Sequence, residues 1–207
     1  RIRIKMNKMP HLPINVSIVG KSGALEVESA YPAVEDSSIV FLLTEPQTEG
    51  EAYQIRVSGH DTTLVVKGDG RKDRRAPRVV RVTPGTGHSA HAQTSIVLTF
   101  DEAMRADSVE RLWTASDSNG SPSGTVSWSS PNALVFEPAD PFDEGDVVLR
   151  LNAGALADAA GNPADEEVDV SFKAISESSL GTVAGGLNPM PVPVVVEVVD
   201  LDRDRSL

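Results

Sequence analysis

The feature of this sequence that most restricts its fold is a series of short runs in which apolar and polar residues alternate. In residues 53–58, for example, Tyr53, Ile55 and Val57 alternate with polar side chains. This period of two is typical of a strand with one buried face. No window sustains a helical period, so we predict an all-β sandwich or barrel. The predicted strands are 15–19, 38–43, 53–57, 62–67, 95–100, 124–128, 133–136, 147–151 and 168–172.

An internal repeat indicates two modules of one fold. The segment IVFLLTEPQTEG at 39–50 is similar to LVFEPADPFDEG at 134–145, and at an offset of 95 residues Phe41 coincides with Phe136 and Gly50 with Gly145. Beyond that glycine the second copy is one residue shorter, so the strand that begins with Tyr53 keeps its register against its counterpart. A turn deletion of this kind is tolerated because it leaves each side chain on its own face of the sheet.

The repeat and the composition predict four parts. Residues 1–67 form a degenerate module that lacks its first strand, because the chain begins inside what should be the second. The segment GDGRKDRRA at 68–76 has the Gly and charge content of a linker. Residues 77–174 form a complete module. Residues 175–207 contain a loose stretch and then VVVEVVDLD, which we interpret as the first strand of a truncated third β module.

The complete module resembles the bacterial Ig-like domains of S-layer and other envelope proteins. The resemblance depends on PRVVRVTPGTG at 77–87, IVLTFDEAM at 96–104 and ALADAAGNPA at 155–164. It implies tandem immunoglobulin-like β-sandwiches, the first degenerate, that serve as spacers, stalks or adhesive modules and share no catalytic residue. In that family a turn precedes the final strand, and here Asp158, Gly161 and Asn162 would form it. The implied location is exported, either periplasmic or at the cell surface.

Charge and composition exclude several partners. The formal net charge is −11, and residues 77–177 carry 6 basic and 16 acidic side chains, a difference of −10. An acidic surface is unsuited to a phosphate backbone, so we expect no nucleic-acid partner. No apolar run is long enough to cross a bilayer, although contact with a membrane surface stays open. The chain has no cysteine, so neither a disulfide nor a thiolate metal site is available.

We find no catalytic or cofactor-binding motif in the sequence. The segment GSPSG at 120–124 does not fit a nucleophile elbow, and Asn15 stands where a phosphate loop before Gly20-Lys21-Ser22 needs glycine. Acidic turns are weak calcium candidates, since clustered oxygens suit that ion, but we favour the interpretation that they are solvated turns. The calcium candidates are Asp140, Asp143, Asp146 and Asp158.

A basic run in the linker and one tryptophan are candidate partner contacts. The cationic side chains would suit an acidic partner or anionic headgroups, and Trp113 is the better surface aromatic, since Trp128 lies in a predicted strand. The basic residues are Arg71, Lys72, Arg74 and Arg75.

Two functions are consistent with these observations. The first is a non-catalytic structural subunit that docks on and stabilises a larger envelope or membrane-associated assembly; respiratory and photosynthetic complexes, on their periplasmic face, are both candidates. A module without its first strand exposes a sheet edge that a partner strand could fill. The alternative is an adhesin, or a ligand- or carbohydrate-binding segment of a long surface protein. The position of Arg1 inside a module and the truncated third module favour the first.

Overall fold

We analysed a computed structural model of the chain, which describes residues 1–7, 13–34, 36–105, 113–118, 120–151, 156–164, 167–179, 199–200 and 205–206, with backbone only for Trp113 and after residue 179. The described elements are β-strands apart from a single turn of 3₁₀ helix at Glu177–Ser179. All nine predicted strands are present, eight of them within two residues at each end, and β15 extends three residues beyond its predicted end. The all-β prediction is therefore confirmed.

Module 1, the first 67 residues, contains two facing sheets. One has three strands in the order β1-β5-β4, and the other has four in the order β3-β2-β6-β7. Every neighbouring pair in both sheets is antiparallel. The strands are β1 Ile2–Lys5, β2 Val16–Gly20, β3 Gly23–Leu25, β4 Val27–Pro32, β5 Ile39–Thr44, β6 Ala52–Val57 and β7 Thr63–Lys67.

Module 2, which follows the linker, has four strands in each sheet. The orders are β12-β13-β10-β8 and β11-β14-β15-β9. Its first segment contributes to both sheets: β8 runs antiparallel to β10, and β9 runs parallel to the last strand, β15. The strands are β8 Val79–Thr83, β9 Ser89–His91, β10 Ile96–Phe100, β11 Trp113–Ser116, β12 Gly124–Ser130, β13 Ala133–Pro138, β14 Gly145–Leu151 and β15 Val168–Ile175.

Each module has its own hydrophobic core, formed by the alternating residues of its strands. In module 1, Ile18 and Ile55 from one sheet pack against Leu42 from the other. In module 2, Leu98 and Leu149 lie in facing sheets and are fully buried. Trp128 packs at the side of this core, with its ring centroid 6.0 Å from that of Phe100. Burial of the inward-facing residues explains why each strand keeps one register.

The two modules superpose in register at an offset of 94 residues, not 95. Ile4 pairs with Val40 in module 1 as Leu98 pairs with Leu134 in module 2. The predicted equivalence of Phe41 with Phe136 is therefore wrong for the strand: Phe136 is in the core, whereas Phe41 lies on the outer face beside Tyr31, with ring centroids 5.8 Å apart. The matching letters of the β5–β6 and β13–β14 turns had shifted the alignment by one residue.

The end of the chain contributes one short two-stranded sheet. In it β16, Val199–Asp200, pairs antiparallel with β17, Arg205–Ser206. Of the predicted lone strand at 194–202, residues 194–198 and 201–202 lie outside the described residues. Among the described residues, no helix is long and apolar enough to cross a membrane.

Candidate functional site at the junction of the two modules

The edge of β1 is open where the equivalent strand of module 2 is covered. Strand β10 pairs with β13 on one side and with β8 on the other, whereas β1 pairs with β5 alone among the described strands. The main-chain N–H of Met6 donates to Ser38 at 2.8 Å, as that of Phe100 donates to Asn132. Since main-chain groups alternate in direction along a strand, those of Arg3 and Lys5 point outwards, towards the open edge.

Module 1 contacts module 2 through Arg1, which precedes β1, and through Val34, which follows β4. The guanidinium of Arg1 lies 4.9 Å above the Phe41 ring and reaches across to module 2, where its Nη1 lies 3.6 Å from Glu102 Oε2. Arg81 of β8 reaches back and donates to the Val34 carbonyl at 3.1 Å. The junction is thus held by arginine side chains from both modules.

Three carboxylates from separate segments meet at this junction, and we call them the carboxylate cluster. Asp73 comes from the linker, Glu102 follows β10, and Asp158 lies in the turn before β15. One oxygen of each lies within 4.8 Å of the other two. Asp73 is exposed, whereas Glu102 and Asp158 are 4% and 1% exposed. Two buried carboxylates this close together need cationic partners or protons.

The environment of Glu102 is unfavourable for its charge. Burial, the main cause, raises its pKa to about 7; Arg1 acts in the opposite direction, and the nearby Asp73, Asp101 and Asp158 raise the pKa further. Arg75 Nε lies 4.0 Å from Glu102 Oε1, which is too long for a hydrogen bond. Among the described residues, Glu102 Oε1 has no hydrogen-bond partner. Arg75 instead pairs closely with Asp101.

Asp158 is held in place by its own turn. Its Oδ1 accepts the main-chain N–H of Asn162 at 2.7 Å, and its Oδ2 accepts the Asn162 side-chain amide at 2.7 Å. The turn closes through the N–H of Gly161, which donates to the Asp158 carbonyl at 3.0 Å. Gly161 has a φ of 89°, which favours glycine. Each Asp158 oxygen still has a lone pair available towards the cluster.

A cavity of about 440 Å³ surrounds the cluster and is lined by both modules and the linker. Tyr31 of β4 contributes to its wall and is 2% exposed. Burial raises the pKa of the Tyr31 hydroxyl, with Arg1 and the Ala103 main chain nearby. No partner at hydrogen-bond geometry is found for this hydroxyl within the described part of the chain. The junction cavity therefore contains buried polar groups without hydrogen-bond partners among the described residues, and it has room for water or an ion.

The basic run predicted as a partner contact divides into two groups. Arg75 is used inside the molecule, and Arg71 forms a bidentate pair with Asp69 in the same linker. Lys72 and Arg74 are exposed, and neither forms an ion pair with another described residue. The linker also contacts module 1, because the Asp69 N–H donates to Gln47 Oε1 at 3.3 Å.

The acidic candidates do not form one site. Asp140 and Asp146 are exposed, and Asp143 is half-buried, with its N–H 3.3 Å from Asp117 Oδ2. Of the four calcium candidates, Asp158 alone belongs to the only group of three metal-capable side chains found among the described residues. Trp113 lies in β11 opposite Leu151, and its side chain is outside the described residues.

Reasoning from the sequence missed the two other members of the cluster. Asp73 is one charge among many in the linker, and Glu102 follows Asp101 in an ordinary strand-to-loop transition. The available signal was the position of Glu102 directly after the buried alternation that ends at Phe100. A carboxylate at such a point is placed beside the core.

Comparison with known proteins gives one family. Residues 73–174 match the bacterial Ig-like domain, a segment that runs from the linker into β15. The family resemblance predicted for module 2 is therefore confirmed. No curated protein matches the chain significantly.

Several solved structures are similar to the chain in part. The LD transpeptidase LdtMt1 in complex with imipenem is 18% identical, with a TM-score of 0.35 over 48% of this chain and 40% of its own, so the chain spans less than half of that enzyme. CopC from Methylosinus trichosporium OB3b is 15% identical, with a TM-score of 0.38 over 51% and 99%. Sidekick-1 immunoglobulin domains 1–4 are 14% identical, with a TM-score of 0.31 over 84% and 47%. Likenesses at these values carry no argument about function.

Proposed function

Because residues 73–174 form a bacterial Ig-like domain, we propose that this chain is a non-catalytic structural subunit of an envelope-associated assembly, which it joins through the open edge of module 1. Ig-like domains are structural or protein-interaction modules, and bacterial ones are usually extracellular or surface-exposed. The docking role and the envelope assembly are the parts that need a test. Fold alone does not supply them.

The open edge of β1 is the observation that carries this proposal. An unpaired edge presents a row of free N–H and C=O groups, which an extended segment of another protein can pair with. The equivalent position in module 2 is filled by β8, where Val97 pairs with Thr83 and Thr99 with Arg81. The same geometry in module 1 would accept a strand opposite Arg3 and Lys5.

A cavity next to this edge supports the same docking surface. It has a volume of about 330 Å³ and is lined by Ile39 and Phe41 of β5 and by Val80 of β8. Val80 is 43% exposed. Apolar side chains of an added strand would be accommodated here. A stable contact needs more than about 1,000 Å² in total, so we expect the partner to cover this cavity as well as the edge.

Site-specific photo-crosslinking in the native host tests the proposal. A photoreactive amino acid at Lys5, on the open edge, is compared with one at Val65, an exposed position of the opposite edge strand β7. We expect a discrete crosslink from position 5 to an extended segment of another protein, and none of comparable yield from position 65. A crosslink to a preceding segment of the same polypeptide, or only to glycan, would contradict docking through this edge.

Substitutions at Arg3 separate main-chain pairing from side-chain contact. Arg3→Ala and Arg3→Pro both remove the side chain, but only proline also removes the outward N–H, while the ladder to β5 is left intact. We expect Arg3→Ala to retain the crosslink from position 5 and Arg3→Pro to lose it. Equal retention by both variants would show that no strand is added at this edge. Far-UV circular dichroism controls for folding.

A further inference from the structure

We propose that Asp73, Glu102 and Asp158 form a binding site for a hard divalent cation of the calcium class at the junction of the two modules. This inference is independent of docking through β1, since it concerns different residues and a different ligand. None of the three side chains was a member of a continuous binding motif in the sequence. Their juxtaposition is a product of the fold.

The spacing of the three carboxylates suits one shared ion. Calcium binds oxygen ligands at about 2.3–2.6 Å, so two ligands of the same ion are at most about 5 Å apart. The three oxygens of the cluster lie within 4.8 Å of one another. Carboxylates without a cation between them repel at this distance. An ion at the centre would turn that repulsion into attraction.

Glu102 supplies the second, independent observation. Its side chain is 5% exposed, one of its oxygens belongs to the cluster, and Oε1 has no hydrogen-bond partner among the described residues. A buried carboxylate oxygen without a donor is costly, and native structures seldom retain one. A cation coordinated by Oε1 would satisfy this oxygen.

The formal charges around the cluster sum to a negative value that a bound dication would neutralise. Four carboxylates meet here, the cluster and Asp101, whereas two guanidinium groups, Arg1 and Arg75, reach them, which leaves a formal charge of −2. Arg1 Nη1 is 3.6 Å from Glu102 Oε2, and Arg75 is committed mainly to Asp101. Arg71 and Lys72 also line the cavity, but Asp69 pairs with Arg71, and Glu28 on the same wall offsets the charge of Lys72.

The ligand chemistry favours calcium over magnesium and transition metals. All three ligands are carboxylates, and the cluster includes no imidazole or thiolate. The cavity of about 440 Å³ has room for the water molecules that would complete a coordination number of six to eight. Magnesium needs a compact octahedron and retains its own water, so we expect it to bind more weakly.

Binding would tie three segments together. Asp73 belongs to the linker, whereas Glu102 and Asp158 belong to module 2. Tyr31 and Arg1 of module 1 line the same cavity. An ion here would therefore fix the linker against module 2 beside the surface on which module 1 packs, and limit bending between the modules.

Calorimetric titration of the whole chain with calcium, after removal of metals by a chelator, tests the site. We expect one ion per chain with a dissociation constant of about 10⁻⁵–10⁻³ M. Asp73→Asn, an exposed change that leaves both cores intact, should weaken binding at least tenfold. Asp140→Asn is the matched control, because it removes the same charge from an exposed turn outside the cluster. It should leave the affinity unchanged.

Thermal unfolding gives a second measurement. Calcium at about 100 times its dissociation constant should raise the melting temperature of the wild type by about 5 °C or more. Glu102→Gln keeps the shape of the side chain and should abolish this rise. No saturable binding up to about 10 mM calcium, or equal weakening by Asp73→Asn and Asp140→Asn, would overturn the proposal. The first result would mean that Arg1 and Arg75 alone neutralise the cluster, and the second that the acidic surface attracts calcium without a site.

Discussion

Module 2 has four strands in each of its sheets, whereas one sheet of module 1 has three among the described residues, and there β1 pairs with β5 alone. Both modules nevertheless share the same pairings at an offset of 94 residues, as in Ile4 with Val40 and Leu98 with Leu134. Module 1 has the smaller core and places Arg1 and Tyr31 against module 2. The difference teaches that two copies of one fold can differ in the number of strands they supply and in the side chains they place against a neighbour.

The largest expected effect on stability comes from truncating one equivalent core side chain in each module. Ile55 and Leu149 occupy the same position in β6 and β14, and both are fully buried. We expect Leu149→Ala to lower the free energy of unfolding by about 3–5 kcal/mol and Ile55→Ala by about 2–3 kcal/mol, because the smaller core collapses more readily around the cavity. Urea unfolding followed by circular dichroism measures both.

The two probes of unfolding also test whether the modules are independent. Both tryptophans, Trp113 and Trp128, are in module 2, so tryptophan fluorescence reports on that module alone. We expect Leu149→Ala to shift the fluorescence transition and Ile55→Ala to leave it nearly in place. Equal shifts from both variants would mean that the chain unfolds as one cooperative unit.

The next effect is a pH dependence that arises from the junction. In chelator, folded Glu102 keeps its proton up to a pKa of about 7, whereas the unfolded chain loses it near 4.5. Between these values the folded state binds more protons, so stability is highest below pH 4.5 and falls as the pH rises to about 7, by at most about 3 kcal/mol.

Unfolding in denaturant across this pH range measures the loss. Glu102→Gln should remove the fall in stability between pH 4.5 and 7, because the amide does not titrate. Glu144→Gln, an exposed change in the same module, should keep it. A slope that survives Glu102→Gln would assign the pH dependence to other groups.

A smaller effect on stability concerns the turn before β15 in module 2. The sequence of module 1 has no such turn. Asn162→Ala removes the side-chain amide that donates to Asp158 Oδ2 and leaves a buried carboxylate with one donor fewer. We expect a loss of about 1–2 kcal/mol by thermal unfolding. Asn15→Ala in module 1, where the exposed amide makes only a 3.5 Å contact to Pro13, should change little. Equal losses would contradict a special role for the turn.

The smallest effect concerns an exposed pair in module 1. Asp36 accepts hydrogen bonds from Lys5 and Ser38, which lower its pKa to about 2 from an ordinary value of 3.8. The stabilisation is present above about 3.8 and is lost as the pH falls towards 2. Lys5→Ala should return the pKa of Asp36 towards its ordinary value, measured by carboxyl NMR titration. An unchanged value would show that Lys5 is not the main cause.

The strands could be predicted from the sequence because each depends on a local pattern. Burial of every second residue, as at Tyr53, Ile55 and Val57, leaves a signal that needs no knowledge of the partner strand. The predicted list omits β1, β3, β4, β8, β9 and β11, and of these β3 and β9 have three residues each. Three residues are too few to establish a period.

The residue-by-residue equivalence of the two modules was harder to predict from the sequence, because turns and strands obey different constraints. Gly50 and Gly145 both have positive φ, at 75° and 131°, so the turn chemistry coincides at 95 residues. The faces of Phe41 and Phe136 are set by cross-strand pairing, which coincides at 94. The offset is 94 on both sides of this turn, as in Val40 with Leu134 and Ile55 with Leu149, so the two connections are equally long and Gly145 lies one residue later in its turn than Gly50 does. That shift could not be seen from matching letters alone.

The carboxylate cluster could not be predicted, since its members are brought together by tertiary structure. Asp73 and Glu102 are 29 residues apart, and Asp158 is 56 residues further on. Runs of acidic residues, such as Asp140 with Asp143, attract attention in a sequence because they are local. Local crowding on a turn exposes the carboxylates to water, whereas Glu102 and Asp158 are buried by the surrounding modules.

The parallel pairing of β9 with β15 has a mechanical consequence. These strands lie near opposite ends of module 2 and pair from Ser89 with Lys173 to His91 with Ile175. If the module is stretched between its two ends, the strands slide along each other, and their hydrogen bonds bear the load together instead of opening one by one. We expect single-molecule pulling to register one force peak for this module, and a gradual low-force extension would contradict this.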